Sequence, residues 1–86
     1  MTVYLVDEPF LEVAASYASR DPEAKVVLIQ DAVYSPPGSD VPFQVFAVLQ
    51  DVERRGVRTR MPPTVQLIGY DELVRMMEDE KVVNFL

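Results

Sequence analysis

Four aspartates punctuate the chain at near-regular intervals: Asp7, Asp31, Asp51 and Asp71, separated by 24, 20 and 20 residues. Each closes an apolar, strand-like run: VYLVD, VVLIQD, VFAVLQD and VQLIGYD. Carboxylates are hard oxygen ligands and candidate general acids or bases, so a row of them offers Mg2+ binding or hydrolysis by paired acids. The competing reading is structural. Aspartate at a helix start accepts backbone N–H bonds and stabilises the helix by about 1 kcal/mol without any ligand. The rest of the inventory favours capping, because there is no Gly-rich phosphate loop and no lysine or threonine recurs at later strand ends to complete a phosphoryl-accepting site. Asp31 is the exception, since the segment after it is short.

An interval of about 20 residues holds one strand, one connection and one short helix, so the chain reads as successive β/α units with an acid at each strand exit. Strands are expected at residues 2–6, 26–29, 45–48 and 65–68, where β-branched and apolar residues run together as buried parallel strands require. Asp7 or Glu8 would cap a first helix with Pro9 in its first turn and Phe10, Val13, Ala14, Tyr17 and Ala18 on one face. Ala32, Val33 and Tyr34 allow one helical turn before SPPGSD, the expected mobile loop. A short helix over residues 50–55 should stop at Gly56, followed by an extended connection through Met61, Pro62 and Pro63. Asp71 and Glu72 open the last helix, whose broad apolar face carries Leu73, Val74, Met76 and Met77. Met76 and Met77 either both pack in the core or divide between the core and a partner. The run KVVNFL, residues 81–86, should be tied down as an edge strand or a subunit contact.

Composition narrows the function. At 86 residues, 49% hydrophobic and 26% charged, residues 1–86 form a single globular domain with a small core that a partner subunit often supplements. The chain has no cysteine and no histidine, which removes thiolate chemistry, the commonest general base and the usual transition-metal ligands. No catalytic residue, metal or cofactor is therefore expected. A net charge of -6 disfavours nonspecific nucleic-acid binding, with one local exception in Arg54, Arg55, Arg58 and Arg60, which form either a solvated run or a basic docking patch. Apolar stretches fall short of the ~20 residues that span a bilayer, and the start has no signal-like n-region, so a cytoplasmic protein is expected.

The segment VVLIQDAVYS, with its neighbours, resembles the DsrH/TusB family, small α/β subunits of sulfur-relay complexes. A Q-D-G-V-Y-like turn is matched at Gln30, Asp31, Ala32, Val33 and Tyr34, with alanine in the glycine's place. Glu8, Pro9 and Phe10 are close to the family's S-P-F, and VFAVLQDVERRG, ending at Gly56, is similar to V-Y-A-L-x-x-D-L-x-x-R-G. The ending VQLIGYDELVRMMEDEKVVNF matches the family's last strand, D-Y, amphipathic helix and K-V, although Phe85 and Leu86 replace the commoner terminal Trp. The resemblance implies a three-layer α/β/α fold with a mainly parallel five-stranded sheet of order 4-3-2-1-5. Right-handed crossovers make that order reasonable, since it puts three connections on one face and the last on the other.

What the resemblance implies for function is a noncatalytic structural or regulatory subunit joining DsrE/TusD-like and DsrF/TusC-like partners, in tRNA wobble-uridine 2-thiolation or oxidative sulfur metabolism. The sulfur-carrying cysteine belongs to the DsrE/TusD-type partner; some family members also have one in the first helix, and its counterpart among Val13 to Ala18 is not a thiol. Interface residues are expected at Tyr34, Met76, Met77, Val82, Val83, Phe85 and Leu86. Two alternatives remain: a stand-alone homodimeric binding protein of the same fold, and a metal-dependent enzyme using Asp7, Asp31 and Asp71.

Overall fold

A computed structural model describes residues 2–38 and 40–86. Five strands, β1 (Thr2–Val6), β2 (Ala24–Leu28), β3 (Gln44–Val48), β4 (Val65–Ile68) and β5 (Lys81–Phe85), form one sheet of order β4-β3-β2-β1-β5 in which every pairing is parallel. The expected order is therefore the observed one. Helices α1 (Leu11–Ala18), α2 (Leu49–Arg54) and α3 (Tyr70–Asp79) link the strands, with short 3₁₀ turns at Glu8–Phe10, Gln30–Tyr34 and Arg58–Arg60.

Alternation along the strands divides the core in two. Tyr4, Val6, Val26, Leu28, Val45 and Ala47 point to one face, where they meet Ala14 and Ala18 of α1, Ala32 and Val33 of the second 3₁₀ turn, and Val52 of α2. Val3, Leu5, Val27, Phe46 and Val48 point to the other, where they meet Leu73 and Met76 of α3. Three connections thus share one face and the fourth crosses the other, as right-handed crossovers require. Register aligns Val6 with Leu28 and Phe85, and Leu28 with Ala47, so the strand exits lie along one rim.

Several local expectations need correction. On α1 the buried side chains are Ala14 and Ala18, with Leu11 and Ala15 partly covered, whereas Phe10, Val13 and Tyr17 are exposed. Small residues let the helix lie close against the sheet, and the larger ones are displaced to its flank. The last helix divides likewise: Leu73 and Met76 pack inward, Val74 and Met77 outward. The connection before β4 is not wholly extended, because Arg58–Arg60 makes a 3₁₀ turn ahead of Met61. Gly56 does take the left-handed conformation, with φ 64°. Within SPPGSD, Ser39 lies outside the described residues.

Candidate functional site

The four aspartates do different jobs. Asp7 is a cap: its Oδ1 accepts from the Glu8 N–H at 2.6 Å. Asp71 stands exposed in the first turn of α3, whose N-cap position is Gly69. Asp51 is buried, only 4% exposed. It does not cap its own helix. Its Oδ2 instead accepts from the backbone N–H of Gln30 at 3.0 Å, reaching from the exit of β3 to the exit of β2.

That bond holds an unusual backbone. Gln30 has φ 50°, the sole non-glycine residue with positive φ among the described residues, a conformation disfavoured by about 1 kcal/mol or more for a side-chain-bearing residue. The sharp turn it makes tucks Ala32 and Val33 into the core and leaves Asp31 and Tyr34 outside. Arg55 closes the cluster. Its Nε donates to Asp31 Oδ1 at 3.1 Å and its Nη1 to Asp51 Oδ1 at 3.4 Å, so one guanidinium joins two strand exits. Burial alone lowers the Arg55 pKa, but the hydrogen bond and charge of Asp31, with the charges of Asp51 and Tyr34, outweigh it and raise it above the ordinary value.

The arginine run is therefore not uniform. Arg55 is mostly buried and committed to the cluster, Arg58 pairs with Glu53 at 3.2 Å, and Arg54 lies 4.0 Å from Asp51. Arg60 is exposed with no ion pair among the described residues. Of the expected interface residues, Tyr34, Met77 and Leu86 are exposed, while Met76, Val82, Val83 and Phe85 are half-buried. Asp7, Asp31 and Asp71 do not converge: among the described residues no three acids gather as metal ligands.

Sequence reasoning singled out Asp31, but Asp51 carries the more specific role. The available signal was the i, i+4 spacing of Asp51 and Arg55 on one helix. A second feature escaped notice altogether. Lys25 of β2 and Glu80, just past α3, form a largely buried ion pair at 2.9 Å, and Glu80 Oε1 is buried without a partner. This pair lies beside a groove of about 500 Å3 over β3 and β4, floored by Phe46 and Ile68.

As chemistry, the rim provides no nucleophile and no base poised on one. The QDAVY turn instead presents Tyr34 and Asp31 at the surface, held by the Asp51–Gln30 bond and by Arg55. Among the described residues no helix is long and apolar enough to cross a membrane.

Comparison with known proteins agrees with this geometry. Residues 9–83 match the family described as DsrH like protein. The crystal structure of the ychN protein from E. coli superposes with a TM-score of 0.77 over 98% of this chain and 97% of that one, at 17% identity, a likeness of fold. Comparison with curated proteins returned no match. A family match extending from the first 3₁₀ turn into β5, on the five-stranded parallel architecture with the QDAVY turn latched at its rim, places this chain in the DsrH-like family of sulfur-relay subunits.

Proposed function

We propose that the chain is a noncatalytic structural or regulatory subunit of a sulfurtransferase complex that serves tRNA wobble-uridine 2-thiolation or oxidative sulfur metabolism. The observation that carries this reading is the family match over residues 9–83 in a chain with no cysteine. Persulfide transfer needs a thiol, so the sulfur must travel on other subunits while this one shapes or regulates the assembly. The partners are DsrE/TusD-like and DsrF/TusC-like subunits, the first bearing the carrier cysteine. Tyr34, beside the Asp51–Arg55 latch at the strand-exit rim, and the exposed Arg58 and Arg60 of the turn after α2 are the contacts we assign to them.

Co-purification of the tagged chain from its own cells, followed by mass spectrometry, tests the assignment. A cysteine-bearing small α/β subunit should be recovered in stoichiometric amount, and sulfur-35 supplied to the complex should label that subunit and not this chain. Repeated recovery of the chain alone would sink the reading.

A further inference from the structure

Eight large apolar side chains stand exposed among the described residues, and seven of them sit on three segments. Phe10, Val13 and Tyr17 lie on or just before α1, Tyr70, Val74 and Met77 on α3, and Leu86 just past β5. Although α1 and α3 cover opposite faces of the sheet, both turn their apolar flank to the same edge. The Tyr17 ring lies 5.8 Å from Phe85 of β5, and Phe10 and Val13 share that flank at helical spacing. On α3 the flank toward β3 and β4 carries Glu72, Arg75 and Asp79, which line the groove there. Tyr70, Val74 and Met77 occupy the opposite flank, toward β1 and β5.

β5 has a strand neighbour on one side only. Its one charged residue is Lys81 at the start of the strand; from Val82 to Leu86 there is no charge and no proline to guard the edge. The other edge, β4, is four residues long, follows Pro62 and Pro63, and exposes the polar Thr64 and Gln66.

We propose that the β5 edge is a self-association surface, on which a second copy of the chain pairs its own β5 antiparallel to the first and the two sheets become one. Such pairing sets a two-fold axis perpendicular to the sheet, so α1 meets α1 on one face and α3 meets α3 on the other. An isologous contact opposes like with like, and in a chain of net charge -6 it must therefore avoid acids. The β5 edge satisfies that condition, since the flanks turned toward it are apolar and the strand beyond Lys81 is neutral.

Register follows from side-chain matching. With Asn84 on the axis, Val82 faces Leu86, Val83 faces Phe85, and the two Asn84 amides, each both donor and acceptor, face each other. Slipping the pairing to its neighbouring register would set Val82 against Asn84 and Lys81 against Phe85. The seven exposed side chains, divided between the two faces that flank the edge, together expose roughly 600 Å2. The edge backbone and half-buried Val82, Val83 and Phe85 bring it toward the ~800 Å2 per partner of a standard interface.

The surface stands apart from the relay reading, since the chain can dimerise whether or not it recovers a cysteine-bearing subunit. Sedimentation equilibrium of the purified full chain at micromolar concentration should give a dimer of the 9.7 kDa protomer. Asn84→Lys, a change at an exposed position, should give a monomer with unchanged circular dichroism. Because the chain has no cysteine, Asn84→Cys is a clean cross-linking probe: the two Cα atoms of a hydrogen-bonded antiparallel pair lie about 5.5 Å apart, within disulfide reach. Mild oxidation should link Asn84→Cys chains in pairs and leave Gln66→Cys chains, altered at the other edge, unlinked. A monomeric wild type, a dimer indifferent to Asn84→Lys, or failure of Asn84→Cys to cross-link would each overturn the proposal.

Discussion

Replacing Asp51 by alanine tests whether this carboxylate holds the QDAVY turn. The change removes a charge-assisted bond to the Gln30 N–H, worth about 1.5 to 3 kcal/mol, while Gln30 stays in its disfavoured conformation without that hold. Arg55 loses one of its two partners but keeps Asp31, so the ion-pair contribution to the loss is small. A net destabilisation of about 2 to 3 kcal/mol follows, which for a domain of this size lowers Tm by roughly 10 to 20 °C. Asp31→Ala removes the same residue type from the same arginine, but at an exposed carboxylate, and should lose under about 1 kcal/mol. Urea unfolding of the two variants, with thermal melts, separates the cases. Comparable losses for both, or a loss below about 1 kcal/mol for Asp51→Ala, would refute the claim that the buried acid latches the turn.

Further changes probe other parts of the fold. Gln30→Val sets a β-branched side chain at positive φ and should lose about 2 kcal/mol by urea unfolding, whereas Gln30→Gly should stay within about 0.5 kcal/mol of wild type because strain relief offsets added chain entropy. Gly56→Ala meets no atom within 4 Å, so its cost is that of the left-handed backbone alone, about 1 kcal/mol, and Gly56→Asn should lose less. Lys25→Ala strands the buried Glu80 carboxylate and should destabilise by about 3 kcal/mol, while the double change Lys25→Met with Glu80→Leu should come close to wild type in the same assay. The Tyr4 pKa is raised above 10.0 by burial, with the charge and hydrogen bond of Asp21 adding to it. Its contribution is thus fully present below pH 10 and lost as pH rises through the folded-state value, so Tyr4→Phe should flatten the alkaline decline in Tm.

Much of this protein was fixed by one-dimensional pattern. Unbroken apolar runs marked four strands to within two residues, because a parallel strand covered on both faces must be apolar throughout. The family resemblance implied the sheet order, with KVVNFL as its fifth strand, crossover handedness made that order reasonable, and the absence of cysteine limited the chemistry. Tertiary structure decided which apolar residues are actually covered. Phe10, Val13 and Tyr17 share helical spacing with Ala14 and Ala18, so periodicity placed them all on one face. Only the close approach of α1 to the sheet assigns the alanines to the core and leaves the larger side chains exposed, Tyr17 against Phe85 of β5. The aspartates show the same division. Their spacing announced strand exits, but whether an acid caps its own helix, like Asp7, or reaches across to a neighbouring strand, like Asp51, depends on which exits lie side by side. That adjacency is a property of the folded sheet.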